Sequence, residues 1–159
     1  MEKQRGFEVC TVYLDNDINI PKRSTARSAG YDFEAAEDVV IPSIWKLALK
    51  GSENIKPVLV KTGIKAYMLE DEALFLYNRS GNPIKKGLVM ANSVGVVDSD
   101  YYNNSDNEGH IMLAFYNFYP VDITIKKGER IGQGVFKKYL KADNDAADSV
   151  RRGGFGSTK

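Results

Sequence analysis

The sequence predicts an all-β domain, a sandwich or barrel of short strands. Two observations carry this. Segments with strand character recur from about residue 7 to residue 140, separated by regularly spaced turn signals of Gly, Pro, Asn and Asp. No periodic stretch in the 159 residues is long enough for a substantial amphipathic helix.

Residues 7–14, FEVCTVYL, alternate with the period of a half-buried strand and stop at Asp15-Asn16-Asp17. Residues 21–30, PKRSTARSAG, are basic, small and polar, and read as an irregular loop leading into the strand Tyr31-Asp32-Phe33. Further strands are expected at 39–41, 44–49, 57–61, 64–69 and 73–77, punctuated by Pro42, residues 51–54, Gly63 and Glu70-Asp71. Residues 82–86 are expected to form the one short helix, ending at Gly87, before a long strand over 88–98. Residues 103–109, NNSDNEG, have the composition of an exposed hairpin loop. Strands at 110–118, 121–125 and 130–140 complete the set. The chain therefore divides into a β domain, residues 1–140, and an arm, residues 141–159. That arm is glycine-rich and has only Val150 and Phe155 as large apolar residues, too few to order it alone.

Hydrophobic residues make up 43% and charged residues 27%, with a net charge of +1. Nothing here suggests bulk attraction to nucleic acid or to an anionic membrane, so any polyanion must be gripped locally. Without a signal-like or membrane-spanning apolar run, a cytoplasmic protein is expected. The single cysteine, Cys10, excludes an internal disulfide framework and reads as a small core residue.

The most informative stretch is 92–102, NSVGVVDSDYY. Gly95 sits inside an apolar run, where it forfeits packing and backbone entropy. Asp98 then ends the run with a charge, beside two tyrosines. The arrangement suits either a β-bulge before a polar turn or a backbone that a ligand approaches closely, with a carboxylate at hand.

Four other segments join this one in order: AGYDF at 29–33, NRSG at 78–81, GERIGQ at 128–133 and RGGFGST at 152–158. Together the five resemble the motifs of the trimeric dUTP diphosphatase (dUTPase) family. The resemblance implies a distorted jelly-roll β-barrel and hydrolysis of dUTP to dUMP and pyrophosphate, limiting uracil incorporation into DNA. It implies Asp98 as the base activating the attacking water, Tyr101 against the deoxyribose, and Asn92 with the backbone around Gly95 reading uracil. Arg79, Ser80, Gly81 and Gln133 would serve the phosphates. Arg152, Phe155, Gly156, Ser157 and Thr158 would close over the nucleotide from the arm. Mg²⁺ is the implied cofactor, approached by Asp32 through water, and Asp32 could also pair with Arg79. A homotrimer with composite sites is the implied assembly, and about a dozen residues of arm can span roughly 40 Å.

The chain departs from the family pattern in three places. Asn78 stands where proline is usual. The fifth motif is shortened, making Arg151 a rival to Arg152. The 103–109 loop is longer and more polar than the common hairpin. Two other readings stay open: a dUTPase-like module of phage or prophage type that regulates a protein partner, and a dCTP deaminase, which shares the fold but should lack the Asp98/Tyr101 pair and the arm motif.

Overall fold

The computed structural model describes residues 3–148. Twelve strands are named among them: β1 (Gly6–Val9), β2 (Lys22–Arg23), β3 (Tyr31–Glu34), β4 (Val39–Ile41), β5 (Val58–Lys61), β6 (Ile64–Tyr67), β7 (Glu72–Asn78), β8 (Leu88–Met90), β9 (Val94–Asp98), β10 (Met112–Asn117), β11 (Ile123–Ile125) and β12 (Arg130–Lys138). Two helices accompany them, α1 (Ile44–Leu49) and α2 (Gly81–Lys86).

The strand pairs are antiparallel and mostly far apart in sequence. A five-stranded sheet runs β2-β3-β12-β7-β9, and a three-stranded sheet runs β5-β10-β8, with the pairs β1-β6 and β11-β4 beside them. Phe33, Leu74, Leu88, Leu113, Phe115 and Ile131 are almost wholly buried in one core shared by these sheets. Burying each such side chain contributes about 1.5–3 kcal/mol before entropy is counted. Phe7 closes one end of the core, its ring edge-on to Phe33 at 5.4 Å and to Tyr31 at 5.3 Å. Among the described residues, no helix is long and apolar enough to cross a membrane.

Four expectations need correction. Residues 44–49 are helical rather than extended, so the described residues hold two short α-helices. Ser43 caps α1, its hydroxyl accepting from Lys46 N, and Gly51 takes φ 78° just beyond it. The apolar residues of this segment fit either period, and the cap and stop signals decide. The first strand ends at Val9, because Glu108 accepts from both the N–H and the hydroxyl of Thr11 and turns the chain into a 3-10 turn, Thr11–Tyr13. Residues 88–98 form two strands rather than one, broken by a turn with Ser93 at φ 59°. The loop at 21–30 contains the short strand β2. Cys10 is buried as expected, and burial pushes its thiol up to about 11.

Candidate active site

The break at residues 91–93 sends the chain from one sheet to the other. β8 pairs with β10, whereas β9 pairs with β7 and forms an edge of the five-stranded sheet. An edge strand presents backbone donors and acceptors that no neighbouring strand takes. Beside it lies a cleft of about 110 Å³ lined by Asn92, Gly95, Asp98, Tyr101, His110 and Met112, among others. Four of the residues singled out from sequence, Asn92, Gly95, Asp98 and Tyr101, therefore meet in one place.

Gly95 is not at a bulge. β9 keeps an unbroken register with β7, and the register shift in this sheet falls in β12, between Arg130 and Gly132. A Cβ at Gly95 would sit 3.1 Å from Leu76 Cβ, so close packing already favours glycine there. Asp98 is the last residue of β9 and precedes a 3-10 turn, Ser99–Tyr101, which carries the buried Tyr101 back toward the cleft. Strand and turn thus fix the carboxylate and the ring relative to each other.

A second concavity, about 520 Å³, is polar. Asp32, Arg79, Ser80, Gly81 and Gln133 line it, as do Ser24, Lys85, Lys86 and Arg130. Asp32 on β3 faces Gln133 on β12 across the sheet, and β7 ends one residue before Arg79. Glycine at position 30 leaves room for the Gln133 side chain, since a Cβ there would lie 2.3 Å from Gln133 Oε1 and 3.1 Å from its Cβ. The expected ion pair between Arg79 and Asp32 is present at 3.5 Å. Arg130, which the sequence reading did not single out, reaches the other carboxylate oxygen at 3.1 Å, and Ser24 donates to it at 2.6 Å. The signal was available: Arg130 lies within the GERIGQ segment. The cations Arg79, Lys85, Lys86 and Arg130 outnumber the carboxylates Asp32 and Glu129, and Glu129 is itself paired with Lys86. Such a groove suits a polyanion gripped locally.

The two concavities have no lining residue in common. The remaining candidates, Arg152, Phe155, Gly156, Ser157 and Thr158, together with Arg151, lie outside the described residues.

The loop at 103–109 is not the solvated turn expected from its composition. Glu108 is bound by Lys65 and Thr11, which hold its carboxyl down at about 2. Gly109 is buried, Asn104, Asn107 and Glu108 are partly buried, and Asn103, Ser105 and Asp106 are exposed. His110 is buried too and accepts from Gly63 N at 2.9 Å through Nε2. Among the described residues, no group of three or more His, Cys, Asp or Glu side chains could hold a metal ion.

Known proteins resemble this chain over nearly its whole length. The family model described as dUTPase matches residues 16–159. The deoxyuridine 5'-triphosphate nucleotidohydrolase of Lactococcus lactis subsp. lactis (strain IL1403) is 54% identical over 158 residues, 98% of each chain. The crystal structure of dUTPase from Streptococcus mutans matches with a TM-score of 0.76 at 46% identity, covering 87% of this chain and 99% of that one. A mutant dUTPase from phage phi11 of S. aureus, described with a structural Mg(II) ion, matches with a TM-score of 0.67 over 92% of this chain and 98% of that one. At 17% identity that likeness bears on the fold alone. The all-β jelly-roll expected from the motifs is the fold these structures share with the chain.

Proposed function

The chain belongs to the dUTPase family, and from that premise we propose that it hydrolyses dUTP to dUMP and pyrophosphate at composite sites of a homotrimer, the cleft and the groove coming from different subunits and the arm from another. One observation carries the shared site: the nucleoside-type residues and the phosphate-type residues line separate concavities of one chain. A neighbouring copy that brings its groove to this chain's cleft completes both, as closed cyclic symmetry allows.

In the cleft, uracil lies along the free edge of β9 with Asn92 at its end, and Gly95 admits it close to the backbone. Tyr101 packs against the deoxyribose. Asp98, held at the strand end, accepts a hydrogen bond from water, orients it toward the α-phosphorus and takes its proton as the bond to phosphorus forms. The groove of the adjoining subunit supplies Arg79, Ser80, Gly81 and Gln133 to the phosphates, so that charge growing on departing pyrophosphate meets fixed donors.

The residues fit Mg²⁺ carried on the substrate rather than caged by protein. Asp32 is one carboxylate between two guanidiniums, and Mg²⁺ usually keeps several waters and binds through few carboxylates plus phosphates. When bound, the ion neutralises phosphate charge; Asp32 would hold one of its waters. From the arm, Phe155 would cover the base, while Arg152, or its rival Arg151, would reach the phosphates with Gly156, Ser157 and Thr158. Residues 1–140 then act as the catalytic domain and 141–159 as the closing arm, in a cytoplasmic protein. The regulatory-module alternative would use residues 103–109 or another surface; in that loop Asn103, Ser105 and Asp106 are exposed while Glu108 is held by Lys65 and Thr11.

Three measurements test this. Pyrophosphate release should be Mg²⁺-dependent and confined to dUTP among dUTP, dCTP, dTTP and UTP; ammonia release from dCTP would instead mean a deaminase. Asp98→Asn should bind dUTP without turning it over. Coexpressed Asp98→Asn and Arg79→Ala chains, each inactive alone, should regain up to about a quarter of wild-type activity by random mixing around a closed ring. No recovery in verified mixed oligomers would mean that each site is built within one chain.

A further inference from the structure

The loop at 103–109 folds back onto Tyr101 rather than away from it. Asn104 donates its side-chain amide to Tyr101 O at 2.7 Å and to Asn107 Oδ1 at 2.9 Å, while its own oxygen accepts from the N–H groups of Asp106 and Asn107. Asn107 Oδ1 also accepts from Gly109 N at 3.1 Å. Gly109 takes φ 82°, and a Cβ there would lie 2.6 Å from Tyr101 O, so the loop closes tightly on the tyrosine's backbone. At its far end the loop is tied to the core. Lys65, its side chain 9% exposed, pairs with Glu108 and donates to Asn103 Oδ1 at 2.8 Å.

All this leaves Asn107 Nδ2 directed at one atom, the Tyr101 hydroxyl, to which it donates at 2.7 Å. The same hydroxyl donates to His110 O at 3.1 Å. The tip of the ring is thus held from two sides, by the loop and by the start of the segment leading into β10. Tyr101 as a whole is 7% exposed and lines the cleft.

We propose that Asn107 is a positioning residue for sugar specificity, clamping the Tyr101 hydroxyl so that the ring cannot yield to a ribose 2′-hydroxyl. The proposal rests on the reading above that Tyr101 meets the sugar. A wall discriminates only as far as moving it costs free energy. An aromatic ring held only at Cβ turns about two soft torsions and makes room. A ring whose hydroxyl donates one hydrogen bond and accepts another must break both first, and in a buried setting those groups then go unpaired.

The test compares kcat/KM for dUTP and for UTP on the same preparation, because the ratio cancels any difference in the fraction of folded enzyme. Asn107→Leu should lower the dUTP preference about five- to tenfold, the scale of one buried neutral hydrogen bond. Tyr101→Phe, which leaves the loop's own hydrogen bonds in place, should lower it similarly, and the double variant should lose no more than the larger single loss. Tyr101→Ala serves as reference for the wall itself. If Tyr101→Ala relaxes the preference and Asn107→Leu does not, the clamp is wrong and the sugar wall stands. If none of the variants changes the ratio, Tyr101 does not meet the sugar, and the proposal falls with that reading. Fully additive losses in the double variant would mean that Asn107 acts elsewhere.

Discussion

Asn82 donates its side-chain amide to Asn78 Oδ1 at 2.8 Å, and the two asparagines bracket the Arg79-Ser80-Gly81 turn from both sides. Asn78 in turn donates to Leu88 O at 2.9 Å, and Asn82 donates to Ile131 O at 2.8 Å. The turn that follows β7 is thereby tied to β8 and to β12. A proline at position 78 would stiffen the chain through its own fixed φ. Here two buried or half-buried amides do so through cross-links.

Asn82→Ala is therefore expected to cost about 1–3 kcal/mol of stability, since Ile131 O is left buried without that donor. It should also raise KM for dUTP more than it lowers kcat, because the phosphate turn loosens while Asp98 is untouched. Urea unfolding at fixed protein concentration and steady-state kinetics on the same samples check both. Unchanged KM in a destabilised variant would confine the bracket to structure.

Arg130 gives a second prediction. Its guanidinium is about half exposed and shares Asp32 with Arg79. Exposure discounts what it contributes, so Arg130→Ala should raise KM for dUTP by about three- to tenfold. Competitive inhibition by deoxyuridine, which carries no phosphate, should scarcely change. Equal weakening of both would move Arg130 out of the phosphate groove.

The grouping of the candidate residues was legible because they sit at spacings that strands preserve. Asp32, Arg79 and Gln133 converge because β3, β12 and β7 are neighbours, and each motif is local to one strand or turn. What stayed hidden depends on partners distant in sequence. Arg130 meets Asp32 across 98 residues, and Glu108 redirects the chain at Thr11 across 97. The split between β8 and β9 carries no Gly or Pro; Ser93 takes the left-handed conformation instead. The exposed-loop reading of 103–109 failed for a related reason. Asn104, Asn107 and Glu108 spend their side chains on one another, on Tyr101, on Thr11 and on Lys65, while Ser105 and Asp106 stay exposed.

Packing and the proposed nucleotide approach each call for glycine at position 95, and the two can be separated. Packing against Leu76 predicts that Gly95→Ala costs about 1–3 kcal/mol through forced repacking. Close approach of the nucleotide predicts a raised KM as well. Reduced stability with KM unchanged would leave Leu76 as the sole reason.

Acid should destabilise the protein in two stages. His110 must be neutral to accept from Gly63 N, and burial, with Lys61 nearby, holds its pKa below the ordinary 6.5 against the opposing pull of Glu37 and Glu108. The unfolded chain then binds the proton more readily, so stability is full above about 6.5 and falls as pH drops below it. Glu108 behaves in the carboxylate sense. Its folded value of about 2 against an ordinary 4.5 contributes stability above 4.5 that is lost as pH falls from there toward 2. Urea midpoints measured against pH should show both declines in the wild type. His110→Gln should lack the first, and Glu108→Gln should shrink the second without abolishing it, because Glu8, Asp38, Asp71, Glu72 and Asp122 are also held below the ordinary carboxylate range. A wild-type midpoint that stays level from about pH 7 to 5 would mean that the buried imidazole does not govern the first stage.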